Sequence, residues 1–148
     1  MPQIVTAIDI DAPPSKVFEI LVDSSRYEEW TPLLRLLVGS YRPGSRILAK
    51  ITLPGIPFVF DAKVVRCDPA KGLAWKGPSI SLVHPVVCGE HYFDLMDLGN
   101  GRTRFVHGER FDGILPQVER LWDFLESKLR PAYEGFNEAL KRRAEAAG

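Results

Sequence analysis

Two histidines and a glutamate hold most of the acid–base chemistry open to this 148-residue chain. Between Arg102 and Phe111, the residues Thr103, Phe105, His107, Glu109 and Phe111 alternate with a set that includes Arg102, Arg104 and Arg110. A strand here puts the first group on one face and the three arginines on the other. The preceding stretch is built the same way, with His91, Phe93 and Leu95 on one side and Glu90, Tyr92 and Asp94 on the solvent side. A hairpin with the three-residue loop Gly99-Asn100-Gly101 sets Leu98 opposite Arg102, and so Leu95 opposite Phe105, Phe93 opposite His107 and His91 opposite Glu109. An imidazole beside a carboxylate on an apolar face can hold a proton and act as acid or base toward an enolisable carbonyl or a phenol, with His107 as a second donor. Burial opposes charge on both partners, whereas pairing favours it on both. The trio reads equally well as a polar cluster that orients a ligand, or as one that satisfies only itself. Two imidazoles and a carboxylate are also a common metal-ligand set, but no metal-binding motif accompanies them and no metal is predicted.

These strands need elements to hold them. Ile4, Ala7 and Ile10 lie in a β-prone segment that ends at Asp11-Ala12-Pro13-Pro14, where proline stops a strand and can open a helix. Val17, Phe18, Leu21 and Val22 then recur at helical spacing, and after Asp23-Ser24-Ser25 a second short helix carries Tyr27 and Trp30 up to Pro32. From Leu34 the period becomes two. Ile47, Ala49, Ile51 and Leu53 mark one strand, Phe58, Phe60, Ala62 and Val64 the next, and Leu73 and Trp75 a short one after the Asp68–Gly72 turn. Longer strands from about Val86 to Leu98 and from Arg102 to Phe111 complete a meander of about six strands after the helices. Val118, Leu121, Trp122, Leu125, Leu129, Ala132, Phe136 and Leu140 form a helical stripe. A helix from near Pro116 to Arg142 would span about 40 Å, with a kink predicted before Pro131. The order predicts one α+β domain over residues 1–148.

One helix, ~10–12 Å across, cannot fill a strongly curved sheet unless large side chains do so. Phe58, Phe60, Trp75, Phe93, Phe105 and Trp122, with Leu125, are the predicted walls, and they either line a ligand cavity or plug it. The apolar connections from Leu53 to Phe58 and from Gly77 to Pro85 are candidate gates, or else pack on the last helix. Trp30 is expected to pack a helix against the sheet edge.

Three stretches carry a family resemblance. They are Ile8-Asp9-Ile10-Asp11-Ala12-Pro13 running into Val17-Phe18 and on from Asp23 through Tyr27 to Trp30; Gly89-Glu90-His91-Tyr92-Phe93; and Gly101 through Gly113. In these the chain resembles the START/Bet v 1-like superfamily (SRPBCC), in particular its polyketide cyclase/dehydrase-like lipid-binding domains. The resemblance implies a helix-grip fold: a curved antiparallel sheet of six to seven strands around a long C-terminal helix, with two short helices after the first strand. It also implies a small hydrophobic ligand (aromatic, polyketide-like or lipid-like) and no cofactor. It leaves open a cofactor-independent cyclase, dehydratase or lyase using His91, His107 and Glu109, and an interaction domain that works through its surface.

Composition narrows the rest. Nineteen basic residues balance nineteen acidic ones, so no global field draws the chain to nucleic acid. No apolar run approaches bilayer length and the opening residues lack a signal-peptide pattern, so a cytoplasmic protein with no membrane span is expected. Cys67 and Cys88 are read as free thiols on the outer face of nonadjacent strands, and Lys141-Arg142-Arg143 as a solvated tail. Nucleophile-elbow, Walker, dinucleotide and Cys-x-x-Cys patterns are all missing from the sequence.

Overall fold

A computed structural model describes residues 2–53, 56–78 and 88–146. Residues 54–55 of the first candidate gate and 79–85 of the second lie outside the described residues, as do the side chains of Ile56 and Phe58. The chain runs β1 (Gln3–Ile10), α1 (Pro14–Val22), a 3-10 turn (Ser24–Glu29), β2 (Leu34–Val38), β3 (Arg46–Leu53), β4 (Ile56–Asp68), β5 (Gly72–Gly77), β6 (Cys88–Gly99), β7 (Arg102–Asp112), a short 3-10 turn (Leu115–Gln117) and α2 (Glu119–Glu145). The strands form one antiparallel sheet in the order β1-β7-β6-β5-β4-β3-β2. This is the helix-grip arrangement, with the first strand returning to pair with the last.

The β6–β7 register matches the sequence reading through His91↔Glu109, Phe93↔His107 and Leu95↔Phe105. The turn does not match. Gly99, not Leu98, pairs with Arg102, the register shifts between Asp97 and Gly99, and the loop is the two residues Asn100-Gly101. Their φ values of 56° and 72° are those of a primed turn, which an Asn-Gly pair adopts readily. The extra residue at Leu98 compensates for the shorter loop, so the pairing beyond it is unchanged.

Bulges and cover explain three further departures. Val64 pairs with Trp75 but Arg66 with Ala74, which makes Val65 an extra residue. Strand phase therefore inverts, and Cys67 lies opposite the buried Leu73 on the inner face instead of outside. Tyr92 does point outward, yet it is buried, because its ring lies over Gly108 and beneath the Arg110 guanidinium at 4.3 Å. The basic run at the end of α2 is tied down: Lys141 Nζ donates to the Asp9 carbonyl at 2.7 Å, and Arg143 donates to Glu29 at 2.6 Å.

One end of the sheet is filled. Trp75, Phe93 and Phe105 are wholly buried there, and Phe136 of α2 stacks on Phe93 with centroids 5.2 Å apart. Trp30 packs on Phe136 of α2 at 5.1 Å. The helix continues through Pro131, and its buried stripe is Leu129, Tyr133, Phe136, Asn137, Leu140 and Ala144. That stripe starts later than the sequence pattern suggests, for Val118 and Leu121 are about half exposed. Upstream of Leu129, Trp122 and Leu125 are the helix residues turned toward the core.

Candidate functional site

The other end of the sheet is hollow, for a reason visible in the register. Gly77 on β5 pairs with Gly89 on β6, in phase with Trp75 and His91, and both line the hollow, Gly77 lying close against the Asp61 carbonyl of β4. Two neighbouring places on the concave floor thus have no side chain. A cavity of about 290 Å³ lies above them, bounded by Ile51, Phe60, Pro78 and Phe111 from the sheet side and by Leu125, Leu129 and Tyr133 from one face of α2. Glu109 also lines it, and among the described lining residues it is the ionisable one besides the phenol Tyr133. The glycine makes room for the carboxyl: a Cβ at Gly89 would stand 3.2 Å from Glu109 Cδ and Oε1.

A hydrogen-bonded chain leads from that carboxyl into the packed end. Glu109 Oε1 is 3.3 Å from His91 Nδ1, and His91 Nε2 is 2.7 Å from His107 Nε2. His107 Nδ1 is 2.9 Å from Asn137 Oδ1, Asn137 Nδ2 donates to Thr6 Oγ1 at 2.8 Å, and Thr6 Oγ1 donates to the His107 carbonyl at 2.8 Å. Tyr133 Oη donates to Glu109 Oε2 at 3.1 Å. β1, β6, β7 and α2 each contribute, and Thr6 reaches the cluster because it pairs with His107 across β1–β7.

Electrostatics fix two of these groups. Burial, and then the neighbouring His91, hold the His107 pKa well below the usual imidazole value, against the opposing pull of its bonds to Asn137 and the Tyr133 main chain. His107 is therefore neutral. Burial, followed by the proximity of Glu109 and the hydrogen bond to it, raises Tyr133 well above the usual phenol value, so Tyr133 keeps its hydrogen. The His91 ring lies flat on Trp75, with centroids 4.5 Å apart and planes 4° from parallel, a seat that fixes the plane in which both its nitrogens point.

The predicted residues thus separate into two groups. Glu109, Phe60 and Leu125 line the cavity, and Trp122 backs its wall by packing edge-on against Phe111 at 5.3 Å. Trp75, Phe93 and Phe105, read from the sequence as walls, belong to the solid core, with Trp75 acting as the seat of His91. His91 and His107 are buried and lie behind Glu109. Tyr133, Asn137 and Thr6 were not singled out in the sequence. The signal was there in part: 129, 133, 136, 137 and 140 follow helical spacing, which places a tyrosine and an asparagine on an inward stripe.

Elsewhere, a depression of about 190 Å³ between α1 and the end of α2 is bordered by Glu19, Asp23, Arg26 and Arg143, and both arginines already pair with Glu29. Among the described residues no group of three or more His, Cys, Asp or Glu is placed to hold a metal ion, and no helix is long and apolar enough to cross a membrane.

A family model described as polyketide cyclase/dehydrase and lipid transport matches residues 1–145. The chain belongs to that family. Membership in the polyketide cyclase/dehydrase and lipid transport family agrees with the helix-grip architecture, which recurs in solved structures over nearly the whole chain. The Zhui aromatase/cyclase from Streptomyces sp. R1128 is 17% identical, covers 99% of this chain and 98% of its own, and superposes with a TM-score of 0.76. The protein TTHA0849 from Thermus thermophilus is 17% identical, with 99% of each chain covered and a TM-score of 0.73. A norcoclaurine synthase point mutant from Thalictrum flavum is 9% identical, covers 97% of this chain and 93% of its own, and has a TM-score of 0.70. At such identities the likeness shows the fold alone. No curated protein matches the sequence.

Proposed function

We propose that the chain binds a small, ring-bearing hydrophobic molecule of polyketide-like or lipid-like character in the cavity between sheet and α2, with Glu109 fixing its polar end. The observation that carries this reading is the cavity itself, a largely apolar space of about 290 Å³ with one carboxyl in its wall, held from behind by a bonded chain. That volume lies at the lower edge of the ~300–1,000 Å³ usual for small-molecule sites. Family membership and the aromatase/cyclase neighbour support a guest with rings. Binding is tested by isothermal titration of the full chain with two-ring compounds, alongside mass spectrometry of molecules that copurify with it. Saturable binding is expected, and Leu125→Trp, which fills the cavity, should abolish it at an unchanged thermal midpoint. Equal binding by the filled variant would refute the reading.

A second reading is favoured by one detail, the 3.3 Å contact between His91 Nδ1 and Glu109 Oε1 at the cavity wall. An imidazole paired with a carboxyl beside a ligand is equipped for acid–base catalysis of a cyclisation, dehydration or lyase step. Glu109→Gln separates the two: a binder retains affinity within about tenfold, whereas an enzyme loses turnover by ~100-fold or more.

A further inference from the structure

The hydrogens of the buried chain can be followed one by one, and from His91 Nε2 to Thr6 they run away from the cavity. The His107 carbonyl can only accept, so the Thr6 hydroxyl hydrogen is directed at it, and Thr6 Oγ1 in turn accepts from Asn137 Nδ2. This orients the amide, with Asn137 Oδ1 toward His107 Nδ1, which must carry hydrogen. His107 is wholly buried and neutral, so its Nε2 is bare and accepts from His91 Nε2–H. His91 Nδ1 then faces Glu109 Oε1 at 3.3 Å, and a hydrogen shared by the two lies on the line between them. The Tyr133 hydroxyl hydrogen points at Glu109 Oε2.

Among the described side chains lining the cavity, Glu109 and Tyr133 carry the polar atoms, and what both turn toward the hollow is lone pairs. From this we propose that the ligand meets the site with a hydrogen-bond donor, a phenolic or alcoholic hydroxyl on a neutral ring system, and not with a carbonyl, ether or carboxylate. The inference rests on the cavity being the ligand site. If His107 were doubly protonated, the chain would run in reverse and end on a carboxylate that still only accepts. Turning the Tyr133 hydrogen into the hollow breaks its bond to Glu109 Oε2 and leaves two oxygens facing each other at 3.1 Å with no hydrogen between them. A ligand carbonyl, ether or carboxylate would face lone pair against lone pair. For the catalytic reading it follows that the described side chains can take a proton from a ligand hydroxyl, but they do not polarise a ligand carbonyl.

Four probes of one shape test this: 2-naphthol, 2-methoxynaphthalene, 2-acetylnaphthalene and 2-naphthoate, each titrated calorimetrically into the full chain at pH 7. Naphthol is expected to bind roughly 10–100-fold more tightly than the methoxy and acetyl compounds, the range for a hydrogen bond to a charged acceptor, with naphthoate weakest. In Glu109→Leu the naphthol preference should fall to within about threefold. If that variant does not fold, the comparison in the unaltered chain decides alone. Methoxynaphthalene, acetylnaphthalene or naphthoate binding as tightly as naphthol would overturn the donor inference and leave the cavity as the ligand site. Saturable binding by none of the four would overturn the ligand-site reading, and the inference with it.

Discussion

The Nε2 atoms of His91 and His107 face each other at 2.7 Å, so one ring presents a hydrogen there and the other a bare lone pair. The bare one belongs to His107, whose other nitrogen is committed to Asn137. Nitrogen-15 spectra of the imidazoles should accordingly show His107 protonated at Nδ1, and His107 protonated at Nε2 would contradict the whole direction of the chain.

Neutral burial of His107 makes stability depend on pH. Its folded pKa lies well below 6.5, the ordinary imidazole value to which it returns on unfolding. Between those two values the unfolded chain binds more protons, so stability falls as pH drops below about 6.5, at up to ~1.4 kcal/mol per pH unit. Carboxylates whose pKa is lowered, such as Asp9 and Glu29, lose their contribution only at more acid pH. Urea midpoints measured between pH 7 and 5 should decline in the parent and flatten in His107→Gln. An equal slope in the variant would refute the assignment.

Asn137 links the Thr6 hydroxyl to the His107 ring. Asn137→Ala leaves a buried N–H and a buried hydroxyl each short of a partner, at roughly 1–3 kcal/mol per group. A loss of about 2–4 kcal/mol in urea denaturation is expected. A loss under ~1 kcal/mol would mean that water enters and substitutes for the amide.

Gly89 leaves the space that the Glu109 carboxyl occupies. In Gly89→Val the new side chain meets that carboxyl and enters the cavity, while the extended backbone accepts valine readily. Binding of 2-naphthol should weaken at least ~10-fold with a thermal midpoint near that of the parent. Undiminished affinity would place the ligand elsewhere.

Phe136 and Leu125 lie about three turns apart on α2, one in the solid end and one at the hollow end. Phe136→Ala should cost ~3–5 kcal/mol, whereas Leu125→Ala, already beside empty space and partly exposed, should cost under ~1.5 kcal/mol. Similar losses at both sites would show that the cavity closes in solution.

Strand phase was readable from the sequence, because alternation reports the face of a residue directly. Three arginines opposite aromatics oriented β7, and the glycines after Leu98 set its register. The error at the turn stayed local: one residue fewer in the loop and one more in the strand cancel before Asp97↔Thr103. The same kind of bulge at Val65 had no compensating partner within β4, so Cys67 was placed on the wrong face. Depth along the groove is a different quantity. Trp75, Phe93 and Phe105 share a face with Phe60, but which of them meets α2 depends on where the helix lies across the sheet, and periodicity carries no information about that. Tyr133 and Asn137 escaped notice because a stripe traced through apolar residues passes over polar ones that are buried for the sake of their partners.

A molecule with one compacted lobe and one vacant lobe separates its two obligations. The compacted lobe secures folding, and on the proposed function the vacant lobe is the one that selects a guest, so exchanges at Ile51, Phe60 or Leu125 would refit the chamber to another shape while the architecture survives. Glu109 answers to both lobes at once, and it is the position at which such tailoring meets resistance.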